Sequence, residues 1–195
     1  DSSYLDTIIS STSKCNAILN NPFTFDVILS SDTAISKFVN STTAMNTLCS
    51  NRDAFKKIIE TRRFRTLLDY STFRNAMLNK SDITEELIRS SEISKNIIAT
   101  HGSVVNTSAD INLGYNDTSG NNVKIFTDKS MILSLSLNGN YFYYTTNHGD
   151  MNYNSSGIID GISYSSRNIY LFTNETKVEL KAVGKSTVSI SYLPI

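Results

Sequence analysis

Residues 31–60 read SDTAISKFVN, STTAMNTLCS and NRDAFKKIIE, which are three ten-residue units in register. Each unit opens with a small polar residue, carries an apolar residue at its fifth position and an apolar pair at its eighth and ninth. The same spacing continues with some drift through the first hundred residues. Internal repetition of this kind predicts a stacked, structural architecture made of equivalent units.

The apolar spacing predicts one short amphipathic helix per unit, because positions three, four and one residue apart share a helix face. Separate short helices fit better than a single long helix, since ten residues rotate a helix by about 1000° and the apolar stripe would slip about 80° per unit. Residues that favour helix N-caps open the units: Asn21, Ser31, Ser41, Asn51, Thr61, Ser71, Ser81 and Ser91. The expected core includes the apolar trio of every unit, down to Ile93, Ile97 and Ile98. Helices this short must pack on their neighbours to persist.

Glycine divides the chain into two parts. None of the eight glycines precedes Gly102, and eight of the ten tyrosines also follow His101. A composition change this sharp predicts two differently built domains, residues 1–101 and 102–195. His101 lies at the expected linker, where a solvated side chain is the favoured interpretation.

After residue 102 the apolar period becomes two, which is typical of β-strands. Residues 131–137 and 141–146 flank the turn Asn138-Gly139-Asn140 and predict a hairpin. Residues 177–183 and 186–192 predict a second hairpin. Further strand candidates are 103–106, 111–114, 122–127 and 168–173. The expected fold is therefore α+β in two domains, a helical array followed by an antiparallel β-sandwich or small barrel.

Bulk properties exclude several functional classes. The chain has 18 basic and 18 acidic residues and a net charge of zero, so its overall field does not favour a nucleic-acid partner. No apolar run approaches the length of a membrane span, so membrane insertion is not expected. Cys15 and Cys49 are interpreted as small buried apolar residues, with one disulfide between them as the alternative.

Motifs for catalysis are absent from the sequence: it has no Gly-x-Ser-x-Gly, phosphate-binding glycine loop, His-Glu-x-x-His or Cys-x-x-Cys. We expect no catalytic residue, no metal site and no cofactor. The candidate ligand-binding residues lie in a tyrosine-rich strand and the polar loop predicted after it: Tyr141, Tyr143, His148, Asp150 and Tyr153. Tyrosine rings suit stacking on sugars. The alternatives are a flexible polar turn, and tyrosines that only pack within a sheet.

A basic cluster interrupts the otherwise neutral helical array. It comprises Arg62, Arg63, Arg65 and Arg74, with Lys56 and Lys57 nearby. Such a cluster can meet an acidic partner or phosphates. The favoured interpretation is an ordinary ion-paired, solvated surface, with Glu60 and Asp69 as the opposed acids.

Ser41-Thr-Thr-Ala-Met-Asn-Thr-Leu48 resembles the Ser-Thr-Ala-Met-Asn-Ala-Ile units repeated in structural and tail-fibre-type proteins of phages that infect clostridia and related Gram-positive bacteria. Ala34, Ala44 and Ala54 hold the alanine of that motif, whereas Phe64, Arg74, Thr84 and Ser94 depart from it. The C-terminal Ser189-Ile-Ser-Tyr-Leu-Pro-Ile195 is similar to the end of some virion proteins.

The resemblance implies a non-enzymatic virion protein, a tail-fibre or receptor-binding component. Its helical array would act as a spacer or oligomerisation stem, and its β-domain would contact a host-surface glycan or another virion protein. A homo-oligomer, with a trimer favoured, would give avidity from weak sites. The alternative is a bacterial secreted or surface adhesion module that binds carbohydrate. A third hypothesis is a glycan hydrolase with a carboxylate pair such as Asp150 and Asp160.

Overall fold

The computed structural model describes residues 2–113, 123–138, 142–146, 149–153, 158–159, 162–163, 169–174, 176–180 and 184–195. The chain divides into two compact units, Asp1–His101 and Gly102–Ile195. The first unit is helical and the second consists of antiparallel strands, so the α+β class is confirmed. That the two units are separate domains stays a prediction.

The helical unit contains one short helix in each ten-residue segment that the sequence predicted. Its ten helices are α1 Ser2–Ile9, α2 Thr12–Leu19, α3 Pro22–Ser30, α4 Asp32–Asn40, α5 Thr42–Ser50, α6 Arg52–Ile59, α7 Arg62–Leu68, α8 Ser71–Asn79, α9 Ser81–Ser90 and α10 Glu92–Ala99. They are separate helices, as expected from the slip of the apolar stripe that one continuous helix would show.

Side-chain caps begin most of these helices. Asn21, Ser31, Ser41, Asn51 and Ser91 each accept a hydrogen bond from a backbone N–H in the first turn of the helix that follows. These five predicted caps are confirmed. Each cap oxygen satisfies a backbone donor that would otherwise be unpaired.

The caps predicted at Thr61, Ser71 and Ser81 are wrong in detail. Thr61 occupies the N-cap position of α7 without capping it, and its hydroxyl donates instead to the Ile58 carbonyl at 2.8 Å. Ser71 and Ser81 are already the first residues of α8 and α9. The interval from α7 to α8 is shortened to nine residues, which moves the serine of that unit into its helix.

The helices wind three to a turn. Each packs on its chain neighbours, and most also pack on the helix three places along, as in α1 with α4 and α2 with α5. Ion pairs also join residues 31 apart: Lys37 with Asp6 at 2.7 Å, Lys57 with Asp26 at 2.7 Å, and Arg63 with Asp32 at 3.0 Å. Every helix of the unit is thus held by interfaces with its neighbours, and we call this winding of helices the solenoid. Helices related by three places form what we call a column.

Most members of the apolar trios are buried and form the main part of the core of the solenoid. Phe55, Phe64 and Phe73, from three consecutive helices, are fully buried and lie with ring centroids 6.0–6.5 Å apart. Towards the C-terminal end of the unit, the core also contains small polar residues. Thr84 and Ser94 are buried, and their hydroxyls donate to the preceding helix at Met77 O and Ile88 O.

The sequence was wrong about Ile93, whose side chain is 53% exposed. In α10 the buried residues are Ser94 and Ile98, which lie four residues apart on one helix face. The face that α10 presents to the core is therefore rotated by one residue from the expected one, and Ile93 falls outside it.

The second unit has ten described strands: β1 Val105–Leu113, β2 Val123–Thr127, β3 Ser130–Asn138, β4 Phe142–Thr146, β5 Gly149–Tyr153, β6 Ile158–Ile159, β7 Ile162–Ser163, β8 Leu171–Thr173, β9 Thr176–Leu180 and β10 Gly184–Pro194. One antiparallel sheet has the order β1-β10-β3-β8 and a second has the order β2-β9-β4-β5. β6 and β7 pair with each other. Over the described residues neither four-stranded sheet closes into a barrel, and the sandwich stays a prediction.

Both predicted hairpins are wrong. β3 pairs with β10 and β8, whereas β4 pairs with β9 and β5. β9 pairs with β2 and β4, whereas β10 pairs with β1 and β3. The turn sequences therefore connect strands of different sheets. The reason is that local turn chemistry specifies a tight connection, while a strand's partner is chosen by burial of its apolar face.

The first sheet carries the described core of the second unit. Met131 of β3 is paired with Phe172 of β8 on one side and with Leu193 of β10 on the other, and all three side chains are fully buried. β1 also joins parts of two segments that the sequence treated as separate strands, 103–106 and 111–114. Pairing with the long strand β10 runs through the polar residues between them.

Candidate functional site

The expected ligand-binding residues centre on β4 and β5. Tyr143 lies in β4, and Asp150 and Tyr153 lie in β5. Tyr141 and His148 lie outside the described residues, as does Asp160 of the alternative carboxylate pair. The polar loop expected around Asp150 is wrong, because residues 149–153 form a strand.

That strand was missed because Gly, Asp and Asn disfavour strands when considered alone. Pairing with the tyrosine-rich β4 overrides the local preference: Thr145 lies opposite Asp150, and Tyr143 lies opposite Asn152. The sequence signal that remains is weak, an apolar Met151 between two polar residues. Three of the five candidate residues thus lie in strands, a more rigid platform than a loop.

The strand register groups some of the candidate residues and separates others. On β9, Lys177 lies opposite Thr145 and Glu179 lies opposite Tyr143. Alternate residues of a strand belong to opposite faces of the sheet. The residues that share one face of β4, β5 and β9 are Tyr143, Thr145, Asp150, Asn152, Lys177 and Glu179. Below we call this set the polar face. Tyr153 is paired with Phe142 and belongs to the other face.

By residue type, the six positions of the polar face are one tyrosine, two acids, an asparagine, a threonine and a lysine. Hydroxyl groups of a sugar are recognised by such acceptors and donors, and an aromatic ring contributes an apolar body with a polar end. Sequence reasoning had missed Lys177 and Glu179, although their alternation with Val178 in β9 carries the signal. The ligand-binding role of Tyr143 and Asp150 stays a prediction.

Members of the basic cluster bond to separate partners elsewhere in the solenoid. Arg63 pairs with Asp32, Lys57 pairs with Asp26, and Arg65 donates to the Thr100 carbonyl at 3.1 Å. The interpretation as an ion-paired surface is therefore confirmed for Arg63 and Lys57. Their acids come from the preceding turn of the solenoid rather than from Glu60 and Asp69, because sequence distance does not show which helices stack.

Arg74 behaves differently from the exposed members of the cluster. Its Nη1 donates to the Leu68 carbonyl at 2.6 Å, while its Nε is buried without a partner among the described residues. Burial lowers the pKa of this guanidinium from its usual value, and the charge of Asp69 partly opposes that effect. Arg74 thus fastens α8 to the end of α7.

His101 is not the solvated linker residue that the sequence favoured, since only 6% of it is exposed. Its Nε2 lies 3.1 Å from Oδ1 of Asp69, the residue that ends α7. The imidazole therefore joins the last residue of the helical unit to a helix 32 positions earlier. A burial that depends on a contact this distant in sequence is not visible from the local pattern.

Cys15 and Cys49 are both free and buried, which confirms their interpretation as apolar core residues. Burial raises the pKa of both thiols above the usual value, and the nearby charge of Lys80 partly counters this at Cys49. Thiols of this kind are poor nucleophiles.

A cleft that the sequence did not indicate lies between turns of the solenoid. It has a volume of about 320 Å³, and its lining includes Thr12 and Asn16 of α2, Thr43, Asn46 and Thr47 of α5, and Lys80. Its side chains are hydroxyls, amides and one ammonium group. Such a site escapes sequence reasoning because its members come from separate helices that become neighbours only through the three-helix turn.

Two features of the described residues bear on the remaining expectations. No helix there has both the length and the hydrophobicity required to cross a membrane. No group of three or more His, Cys, Asp and Glu side chains is arranged there to hold a metal ion.

Comparison with known proteins finds no protein-family model and no curated protein sequence that matches this chain.

Proposed function

We propose that this chain is a non-enzymatic virion protein, a tail-fibre or receptor-binding component whose β-unit recognises a host-surface glycan. The observation that carries the proposal is the polar face, which brings Tyr143 and Asp150 together with Asn152, Lys177 and Glu179. The resemblance of residues 41–48 to phage structural repeats supports the virion setting.

We further propose that the two four-stranded sheets pack face to face as a double-sheet jelly roll. The support is the strand order: β1, β3, β8 and β10 belong to one sheet, and β2, β4, β5 and β9 to the other. The chain therefore changes sheet at almost every connection, as jelly rolls do, and viral capsid and lectin domains use this fold. Fold alone does not assign function, so this analogy is secondary support for the proposal, after the polar face.

The helical solenoid serves in this proposal as a spacer or oligomerisation stem, with a trimer as the preferred assembly. Stacked helices give a rod-like element whose length grows with the number of turns. Light scattering on the full chain is then expected to give a mass near three times 21.7 kDa. A monomer at micromolar concentration would count against a fibre role.

Glycan-array binding of the full chain tests the recognition proposal. We expect selective retention on a small set of glycans, and Tyr143→Ala is expected to weaken it at least tenfold, about 1.4 kcal/mol. Asp150→Asn is a second variant, which keeps the shape of the side chain and removes its charge. Tyr4→Ala is the matched control, since Tyr4 is exposed in the helical unit.

Three results would contradict the proposal: no glycan retained, binding unaffected by both β-unit variants, or equal loss in the control. Release of reducing sugars by the same preparation would favour the glycan-hydrolase alternative. A bacterial adhesion module remains the alternative binding protein, and neighbouring genes separate the two, with tail or capsid genes favouring the virion role and wall-anchoring genes the adhesin.

A further inference from the structure

One column of the solenoid differs in charge from the other two. Acid–base pairs join α1 to α4 and α4 to α7 in the first column, and α3 to α6 and α6 to α9 in the third. The remaining column, α2, α5 and α8, contains no Asp or Glu at all. It carries Lys14 and Arg74, and Lys80 follows directly after α8.

The polar cleft described above lies in this carboxylate-free column. Lys80 lines the cleft, and it forms none of the ion pairs found among the described residues. Lys80 therefore brings a positive charge to a lining that contains no Asp or Glu among the described residues. That arrangement favours a negatively charged occupant, because an opposite charge is the group that an ammonium binds best.

A second observation points to an occupant with hydroxyl groups. Oδ1 of Asn46 is buried in the lining and has no hydrogen-bond partner among the described residues. An unsatisfied buried acceptor costs about 1–3 kcal/mol, so native proteins seldom leave one without a reason. Rotation of the Asn46 amide would present that oxygen to a ligand hydroxyl, and the Asn16 amide offers both a donor and an acceptor.

One hydroxyl group of the cleft lining, that of Thr47, already makes a hydrogen bond within α5. Thr47 is nearly fully buried and its hydroxyl donates to the Thr43 carbonyl at 2.7 Å, which leaves its oxygen lone pairs to accept. No aromatic side chain lines the cleft among the residues that the structure describes. The cleft therefore recognises hydrogen-bonding groups and charge, and it does not offer a stacking surface.

We propose that the cleft binds a small hydroxylated oxyanion, a sugar-sized molecule carrying one carboxylate or phosphate group. Lys80 pairs with the oxyanion, and Asn46 and Asn16 bond to hydroxyls. A volume of about 320 Å³ is at the lower end of small-molecule pockets and suits a single sugar residue. The proposal is independent of the polar face, which belongs to the other unit of the chain.

Titration of the full chain with three probes tests the ligand class. Glucuronate presents a carboxylate, glucose 6-phosphate presents a phosphate, and glucose is the neutral reference. Amide chemical shifts of Asn46 and Thr47 in a ¹⁵N-labelled sample report binding. We expect saturable shifts with at least one charged probe and at least tenfold weaker binding of glucose. The preferred charged probe then shows whether the natural ligand carries a carboxylate or a phosphate.

Substitutions test the assigned residues. Lys80→Met removes the charge and keeps the chain length, and it is expected to weaken binding of the charged probe at least tenfold. Lys56→Met is the matched control, since Lys56 is an exposed lysine of α6 outside the cleft. Asn46→Ala is a second variant, expected to weaken binding severalfold, and Tyr143→Ala is expected to have no effect.

The proposal is overturned if neither charged probe saturates, or if glucose binds as tightly as they do. It is also overturned if Lys80→Met and Asn46→Ala bind the charged probe as the unmodified chain does. Far-ultraviolet circular dichroism of each variant shows whether it has folded. Loss of glycan retention at the polar face without loss of probe binding would remove the proposed receptor role and leave the cleft standing.

Discussion

At the residue scale, the strongest contrast is between phenylalanines that share a chemistry but not an environment. Phe64 is fully buried and meets Phe55 and Phe73 edge-on, at interplanar angles of 82° and 83°. Phe23 is 83% exposed on α3. Edge-to-face rings contribute more than their buried area alone, so Phe64 is held by both packing and ring geometry.

We therefore predict that Phe64→Ala lowers the free energy of unfolding of the helical unit by about 3–5 kcal/mol, because it removes apolar contacts and leaves a cavity. Phe23→Ala is the matched control and is expected to change it by less than about 0.5 kcal/mol. Urea titrations followed by far-ultraviolet circular dichroism measure both. Equal effects of the two substitutions would contradict the burial described for Phe64.

Sequence reasoning reached part of this contrast. The fifth-position residue Phe55 and its counterpart Phe73 were correctly placed in the core, since the apolar period identifies the buried face of a helix. Phe23, at a third position, lies off that face. Ile93 was placed wrongly because α10 turns a different face to its neighbours, a rotation that only packing reveals.

At the scale of the element, caps and contacts between turns act together. The Ser41 hydroxyl oxygen lies 3.2 Å from the Ala44 N–H nitrogen, from which it accepts, and the hydroxyl also donates to the Ile9 carbonyl at 2.7 Å. One side chain thus starts α5 and ties it to the end of α1, 32 residues earlier. Ser71 has the equivalent place in its unit but is a helical residue rather than a cap.

We predict that Ser41→Ala destabilises the helical unit by about 1–2 kcal/mol, the usual cost of a lost N-cap, with the bond to Ile9 adding to it. Ser71→Ala is the matched control and is expected to be neutral or slightly stabilising, since alanine is the better residue inside a helix. Thermal and urea denaturation of both variants check this. A Ser71→Ala loss as large as that of Ser41→Ala would show that Ser71 caps α8 after all.

At the scale of the whole molecule, the helical unit has a core and contacts of its own. Its helices bury their apolar trios among themselves, and its last residue, His101, returns to Asp69 within the same unit. Domains are recognised by a core of their own and by boundaries that few contacts cross.

We predict that residues 1–101 expressed alone fold into a helical structure that unfolds cooperatively on heating. Circular dichroism is expected to show a helical spectrum and one sigmoidal transition, because the nearest-neighbour interfaces of a solenoid are all present in this fragment. The same fragment carrying Phe64→Ala is a control that must melt at a lower temperature. A fragment without a cooperative transition would mean that the second unit is required for the first to fold.

The local features of this chain could be derived from its amino acids alone: ten short helices at a ten-residue spacing, most of their caps, the strand character of the second half and the composition boundary at Gly102. These follow from capping, periodicity and glycine content, which act within about ten residues of the chain. Which helices stack and which strands pair became visible only in the folded molecule. Val105 meets Tyr192, and Lys80 joins a cleft with Thr12, because burial of apolar surface selects partners far apart in the chain.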